Sequence, residues 1–274
     1  MPITRRNFLW TSLAGIAGII LADSFLFERF FIETNEFYLG AATKSSKNIS
    51  FVQVSDLHLH SISSALIHLA KKINKVQPDL ILFTGDMLDE KNNLPLLIRF
   101  LNLIDKSIRK VAILGNWEHY AMIDINELNS VYKDNNCKLL INQSIRYMID
   151  NKTVCITGVD DFIGGHADVN AATQDFQKSD YHIILSHCPQ YRDYIPREMN
   201  KSVPLDFVLS GHTHGGQVNI LGYVPYLPEG SGRYLKGWYN TDGPKMYVSK
   251  GIGTTLLPVR LGARAEIAIF HLST

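Results

Sequence analysis

The most informative stretch of this sequence is Ser210-Gly211-His212-Thr213-His214-Gly215-Gly216-Gln217. It follows a short apolar run at residues 207–209, which predicts a buried strand. Glycine allows a close approach of the backbone and a positive φ, so the two histidines can turn their imidazoles into one cleft at the end of that strand. A single His-x-His pair is only a weak indication of metal binding.

The indication becomes strong because other apolar runs also end in residues that commonly bind metals. These ends are Asp56-Leu57-His58 after the run 49–55, Gly85-Asp86 after 80–84, Gly115-Asn116 after 111–114, and His187 after 183–186. Packing alone does not explain why five predicted strands end in Asp, His or Asn. The sequence therefore predicts a metal centre built from strand ends.

Carboxylates, imidazoles and a carboxamide without a thiolate suit divalent Mn, Fe or Zn ions. The candidate ligands fit two ions that share Asp86 as a bridging carboxylate, and they are Asp56, His58, Asp86, Asn116, His187, His212 and His214. Two such ions activate a bridging water and hold the attacking and leaving oxygens of a displacement. The sequence shows neither a Ser/His/Asp nucleophile pattern nor a Walker-type phosphate loop. A metal-bridging hydroxide is thus the expected nucleophile for phosphoryl transfer.

The order of the predicted elements favours a layered α/β domain. A strand at 49–55, a helix at 62–76, a strand at 80–84, a helix near 95–108 and a strand at 111–114 form a β-α-β-α-β series. Further helices are predicted at 124–132 and 168–177. Strands are predicted at 139–141, 145–149, 154–159, 181–186, 246–249 and 265–272. Residues 221–239 are rich in Gly, Pro and aromatic side chains and predict an irregular loop beside the site.

Composition limits the classes of function. The chain has 274 residues, 46% of them hydrophobic, which is enough for one large core. The formal net charge of +1 gives no reason to expect nucleic acid as a partner. The three cysteines form no C-x-x-C pair, so neither a disulfide framework nor a structural zinc site is predicted.

The N-terminus is typical of an export signal. Thr4-Arg5-Arg6-Asn7-Phe8-Leu9 precedes the apolar stretch 9–22, as in twin-arginine signals, and an ordinary signal anchor is the alternative. No small-x-small cleavage site follows directly, and such a stretch just reaches across a bilayer core. We therefore expect residues 1–44 to be a signal or membrane anchor plus linker, and residues 45–274 to be one catalytic domain. The positive-inside rule places that domain on the exported side of the cytoplasmic membrane.

This chain resembles the calcineurin-like metallophosphoesterase superfamily over nearly all of residues 50–270. The motifs that match in order are Asp56-x-His58, Gly85-Asp86-x-x-Asp89, Gly115-Asn116, His187 and Gly211-His212-x-His214. The resemblance implies an α/β four-layer sandwich, in which two central mixed β-sheets are flanked by helices. It assigns Asp56, His58, Asp86 and His214 to one ion, and Asp86, Asn116, His187 and His212 to the other. Residues 247–254 and 257–260 resemble the exported, membrane-associated bacterial branch, which is similar to UDP-2,3-diacylglucosamine pyrophosphatases.

One position departs from the family pattern. The family reads Gly-Asn-His-Asp/Glu, with the histidine as general acid, whereas Trp117 occupies that slot here. Either His119 supplies the proton, so that the catalytic residues are Asp86, Asn116 and His119, or the leaving group needs little protonation. A structural role for His119 is the alternative. Arg260 is predicted to bind a substrate phosphate or to form a structural salt bridge.

Smaller roles are expected for four neighbouring side chains. Asp89 is expected to orient a ligand, and His60 to lie on a surface loop. Asp160 and Asp161 are expected to cap the segment that follows them.

Three functions remain open at this point. The first is hydrolysis of a phosphodiester or pyrophosphate bond by a binuclear metal-dependent phosphoesterase. A narrower alternative is UDP-2,3-diacylglucosamine pyrophosphatase in lipid A synthesis, although an exported domain would lie opposite the face where that precursor is made. A non-catalytic metal-binding scaffold is the alternative from another class. The expected partners are a phosphoester or nucleotide-lipid substrate and, through the N-terminus, the membrane.

Overall fold

Two six-stranded β-sheets form the centre of the protein, with helices on their outer faces. A computed structural model describes residues 4–28 and 31–274. Both sheets are mixed, which confirms the predicted α/β fold class.

The first sheet has the strand order β1-β12-β2-β3-β4-β5. Its strands are β1 (Glu33–Leu39), β2 (Asn48–Val54), β3 (Leu80–Thr84), β4 (Arg109–Ile113), β5 (Cys137–Leu139) and β12 (Glu266–Ser273). Strands β2 to β5 are parallel, and β12 lies antiparallel to β2. Strand β1 pairs with β12 although it lies inside the segment 1–44 that the sequence pattern assigns to signal and linker. That part of the chain therefore belongs to the sheet.

The second sheet has the order β10-β11-β9-β8-β7-β6. Its strands are β6 (Gln143–Ile149), β7 (Lys152–Gly158), β8 (Tyr181–Leu185), β9 (Phe207–Ser210), β10 (Gly237–Tyr239) and β11 (Met246–Val248). Strands β7, β8, β9 and β11 are parallel. Strand β10 lies in the predicted irregular loop 221–239; its three residues are too few for a recognisable alternation.

Two of the helices are much shorter than the hydrophobic patterns predict. The helices are α1 (Arg5–Ala22), α2 (Ser64–Val76), α3 (Leu94–Leu101), α4 (Asn116–Tyr120), α5 (Ile125–Asp134), α6 (Val169–Ala172) and α7 (Ile195–Glu198). A π-helical turn follows α1 at Asp23–Phe27, and 3-10 turns occupy Lys91–Asn93, Pro189–Asp193 and His214–Gly216. The predicted helices near 95–108 and at 168–177 therefore end early. Within residues 4–28 and 31–274, none of the helices has the length and apolar character that a membrane span requires.

The central strands are apolar on both faces because each face is covered. Phe51, Leu82 and Val111 point into the core between the two sheets. Their neighbours Val52 and Ile81 pack under α2 and α3 in a second core. Since side chains alternate along a strand, continuous apolar runs are the pattern that this layered arrangement requires. The layering leaves the carboxyl ends of the parallel strands of both sheets at a shared edge.

Candidate metal centre

The strand ends bring the predicted ligands together in two buried clusters. One cluster contains Asp56, His58 and His214, and the other contains Asp86, His187 and His212; within each, one potential ligand atom per residue lies within 4.8 Å of the others. Asn116 joins the second cluster, since its Oδ1 lies 2.9 Å from His212 Nδ1. Asp86 Oδ2 lies 3.0 Å from His187 Nε2 and 3.7 Å from His58 Nε2. The Asp86 carboxylate is thus between the clusters, where a bridging ligand is needed.

Hydrogen bonds between the two sheets hold the strand ends in register. His187 Nδ1 donates to the carbonyl oxygen of Thr84 at the end of β3, over 2.8 Å. The backbone N–H of His212 donates to Asp56 Oδ1 at 2.9 Å. Gln53 Nε2, on β2, donates to the Ser210 carbonyl on β9 at 2.9 Å. Each bond joins one sheet to the other, so the position of the site depends on how the sheets pack.

Several candidate ligands have left-handed backbone conformations. Positive φ values occur at Asp56 (53°), His58 (42°), Asp86 (53°), His212 (74°) and His214 (52°). For residues with a Cβ this conformation costs about 1–2 kcal/mol each, and such strain is characteristic of functional sites. The strained turns direct these side chains from the strand ends into the common cleft.

The donor atoms fit divalent cations. His212 Nε2 donates to the Glu229 carbonyl oxygen at 2.6 Å, which leaves Nδ1 as a lone pair. That lone pair lies 3.2 Å from His187 Nε2, the free ring nitrogen of His187. His58 Nε2 and His214 Nε2 also lie 3.2 Å apart, and the buried Asp56 Oδ2 has no hydrogen-bond partner among the described residues. Close pairs of ring nitrogens beside a carboxylate oxygen that lacks a partner are suited to bind cations.

Electrostatics keeps His212, His214 and Asp86 in their metal-binding forms. Burial and the neighbouring His187 lower the pKa of His212 to about 4. Burial and His58 lower the pKa of His214 well below its ordinary value. Burial opposes ionisation of Asp86, but His187 outweighs it, so the pKa of this carboxyl is lowered. Burial raises the pKa of Asp56, and nearby carboxylates raise the pKa values of His58 and His187 against the effect of burial, so metal binding at these three groups competes with protons.

Glu118 supports the site, although the sequence pattern gave it no role. Its carboxylate accepts hydrogen bonds from four buried backbone N–H groups, those of Asp86 (3.0 Å), Met87 (2.6 Å), Leu88 (3.0 Å) and Gly115 (2.8 Å). Burial and the Asp86 charge raise the pKa of Glu118 to about 7. Glu118 is the third residue of α4, which begins directly after Gly115, and a glutamate at that position is a capping signal. This signal could have identified Glu118.

His119 forms a partly buried pair with Asp160. His119 Nε2 lies 2.8 Å from Asp160 Oδ1, and Asp160 also accepts from the backbone N–H groups of Asp161 and His166. Asp160 therefore orients His119 as well as holding the following turn. The hydrogen bond that His119 donates to Asp160 raises the pKa of His119. Trp117, in the slot of the family histidine, packs edge-on to His58 at 6.0 Å between ring centroids.

Asp89 lies beside the first cluster, and His60 lies beyond Asp89. Asp89 Oδ2 is 3.7 Å from His58 Nδ1 and 3.0 Å from His60 Nε2. This places Asp89 where it can orient His58. His60 is exposed, at the edge of a cavity of about 90 Å³ beside His58.

Arg260 does not reach the open side of the site. Its side chain is fully buried, and the guanidinium donates to the carbonyl oxygens of Gly253, Ala263 and Lys250. One of its nitrogens lies 3.3 Å from His214 Nδ1. The structure therefore replaces the predicted phosphate contact of Arg260 with a role in positioning His214 and the loop after Gly253.

Comparisons with known proteins agree with this geometry. Residues 49–216 match the family model of the calcineurin-like phosphoesterases. The chain is 33% identical to the uncharacterized metallophosphoesterase YkoQ of Bacillus subtilis, covering 82% of this chain and 83% of YkoQ. It is 28% identical to YkuE of the same organism, over 99% and 98% of the two chains. A dimetal phosphatase from Danio rerio shares the fold with a TM-score of 0.50 at 11% identity, covering 83% of this chain and 94% of that one.

Family membership and the two residue clusters together indicate a dinuclear divalent metal centre. The chain belongs to the calcineurin-like phosphoesterase family and is a metal-dependent phosphoester hydrolase.

Proposed function

We propose that this protein hydrolyses a phosphodiester or pyrophosphate bond with two divalent cations, most suitably Mn, Fe or Zn. The observation that carries this proposal is the convergence of six acidic and imidazole side chains in two adjacent buried clusters. Cations bound there would neutralise phosphate charge and activate water. The residues of the chain hold the cations, keep Asp86 between them and exclude bulk water from the buried donors.

The His119–Asp160 pair supplies the proton for the leaving group. Asp160 holds His119 through Nε2, which leaves Nδ1 to donate to the leaving oxygen. Because the pKa of His119 is raised, the imidazolium persists to higher pH than an ordinary histidine. An acid of this kind matters most when the leaving oxygen is strongly basic.

A lipid pyrophosphate, such as UDP-2,3-diacylglucosamine, is the second candidate substrate. The apolar part of the lining of the cavity beside His58 supports it, and consists of Leu57, Leu59, Leu66 and Ile252. The volume of about 90 Å³ admits only the first carbons of an acyl chain. The membrane is the proposed partner of the N-terminus, because α1 exposes a series of large apolar side chains. These are Phe8, Leu9, Trp10, Leu13, Ile16 and Ile19. With the twin-arginine-type sequence, this supports a position at the cytoplasmic membrane with the domain on the exported side.

The test uses the purified full chain, stripped with a chelator and reloaded with Mn²⁺. The reloaded protein is mixed with bis-p-nitrophenyl phosphate or with UDP-2,3-diacylglucosamine, and products are identified by mass spectrometry. We expect turnover of the diester to depend on metal and to disappear in the stripped protein. UMP and an acylated sugar phosphate would establish the lipid substrate. Failure to cleave either compound with two ions bound would contradict the proposal.

His119→Gln is expected to slow cleavage of a phenyl phosphodiester by about a hundredfold. Cleavage of the corresponding p-nitrophenyl diester should slow much less, because its leaving oxygen needs little protonation. Asp160→Asn should move the alkaline limb of the pH–rate profile to lower pH, since the hydrogen bond to the Asp160 carboxylate raises the pKa of His119. The measurement is kcat/KM for both diesters across pH. Equal losses of kcat/KM for both diesters would assign His119 a structural role. The control is His68→Gln, on the exposed face of α2.

A further inference from the structure

Two leucines at the tips of neighbouring loops have an exposure and a backbone conformation that folding does not explain. Leu221 and Leu256 are almost entirely exposed, and both have left-handed backbones, with φ of 52° and 57°. Glycine or asparagine is the usual residue in that conformation, and a leucine there costs about 1–2 kcal/mol. Each leucine therefore combines a strained backbone with an apolar side chain in water.

The first leucine lies in a tight hairpin. Ile220 and Tyr223 exchange two backbone hydrogen bonds of 2.9 and 3.0 Å, with Leu221 and Gly222 between them. Positive φ at both central residues is the pattern of a type I′ turn, for which Asn-Gly is the preferred sequence. Leucine replaces that asparagine here.

The second leucine forms the centre of a three-residue turn. The backbone N–H of Leu257 donates to the Thr255 carbonyl at 2.6 Å, across Leu256. With a positive φ at its centre this is the rare, strained form of the γ-turn. The neighbouring side chain of Leu257 is also exposed.

Gln217 joins the second loop to the metal centre. It follows the 3-10 turn His214–Gly216 that begins with a candidate ligand. Its side chain accepts from Thr255 N–H at 2.9 Å and donates to the carbonyl oxygens of Thr255 and Leu257 at 3.0 and 2.9 Å. The base of the first loop lies next to the same segment, since residue 218 pairs with Leu261 and the N–H of residue 219 donates to the Leu261 carbonyl. Both loops therefore extend from the segment beside the cleft.

The tips are uncharged and lie next to the segment that follows α1. Residues 211–228 contain no Asp, Glu, Lys or Arg. Of the basic side chains at 250–265, Arg260 is buried, and Lys250 and Arg264 lie next to glutamates; Lys236 is exposed beside the second loop. The segment after α1 meets the same loop, since Arg260 N–H donates to the Ser24 carbonyl at 3.2 Å. Apolar tips next to a helix that exposes large apolar side chains are features of peripheral membrane contact.

We propose that the loops 220–226 and 254–257 insert Leu221, Leu256 and Leu257 into a lipid surface, so that the metal cleft opens toward the head groups. Single protruding side chains fit a fluid apolar layer. A second copy or a partner protein would have to provide a pocket for each. This contact is separate from the proposed reaction and from the N-terminal helix.

The test places an environment-sensitive dye at Leu221→Cys or Leu256→Cys in the full chain. The native cysteines Cys137, Cys155 and Cys188 are buried, so labelling is specific. Met148→Cys is the control, because Met148 is exposed at the opposite end of the sheets, beside the start of β4. Vesicles contain equal parts of phosphatidylglycerol and phosphatidylcholine, or phosphatidylcholine alone.

We expect dye emission at both tips to shift to the blue with vesicles, and dye at residue 148 to remain unchanged. Bound protein whose tip dyes remain in water would overturn the proposal, since the N-terminus alone would then carry the contact. A blue shift without vesicles that grows with protein concentration would overturn it in favour of self-association. The reaction is assayed separately with a soluble diester, so its failure is distinguishable.

A second pair of variants keeps the fold intact. Leu221→Asn and Leu256→Asn place a residue that tolerates left-handed φ at each tip, so Tm should be unchanged or raised. Vesicle affinity should fall about tenfold for each leucine removed. Unchanged affinity in the double variant would contradict the inference, and Met148→Thr is the matched control.

Discussion

Replacing Asp86 with asparagine should lower turnover of bis-p-nitrophenyl phosphate by about three orders of magnitude or more. Asparagine keeps the shape of the side chain but loses the charge and the second carboxylate oxygen. Oδ2 of Asp86 lies 3.0 Å from His187 Nε2 and 3.7 Å from His58 Nε2, so the lost oxygen is the one between the clusters. Metal content should fall with turnover, as measured by mass spectrometry of the purified protein.

The substitution is chosen so that backbone strain does not confuse the result. Asp86 has a φ of 53°, which asparagine also tolerates. Its Oδ1 accepts from the Trp117 N–H at 2.9 Å, and an asparagine oxygen can retain that bond. Asp150→Asn is the matched control, because Asp150 has a φ of 47° in the turn between β6 and β7, far from the cleft. A metal-loaded Asp86→Asn protein with normal turnover would contradict the central role of Asp86.

The candidate ligands could be predicted from the sequence because of a general property of parallel sheets. Carboxyl ends of neighbouring parallel strands meet at one edge, so polar residues directly after apolar runs converge in space. Asp56, Asp86 and Asn116 follow β2, β3 and β4, and the structure brings them to one cleft with the histidines after β8 and β9. The layered α/β class follows from the same apolar runs. A strand that is apolar on both faces must be covered on both sides, by the other sheet and by helices.

The supporting residues could not be predicted in this way because their partners are distant in the chain. Asp160 lies after β7, and only the packing of the second sheet brings it to His119. Arg260 has the residue type of a phosphate ligand, but the neighbouring carbonyl oxygens that bury it come from two loops. Strand β1 shows no alternation of apolar and polar residues. Its side chains are all partly buried or exposed. Its pairing with β12 depends on tertiary structure.

Glu118→Gln should lower the free energy of unfolding by about 3 kcal/mol or more. The carboxylate accepts from four buried N–H groups through both oxygens. Glutamine retains one acceptor oxygen and turns an NH₂ group toward the remaining N–H donors. Two buried donors then lose their partner, and the turn that carries Asp86 is released. Urea denaturation measures the change, and Glu127→Gln, exposed in the first turn of α5, is the control.

The same variant separates positioning from catalysis. Because Glu118 holds the backbone of Asp86 and touches no candidate ligand side chain, its loss should weaken metal affinity about 10–100-fold. Turnover of Glu118→Gln should then recover as the Mn²⁺ concentration is raised, whereas Asp86→Asn should stay inactive at any concentration. A Glu118→Gln protein of normal stability that no amount of metal restores would instead place this carboxylate in the reaction itself. The metal titration thus distinguishes Glu118, which positions the site, from Asp86, which binds the metal ions.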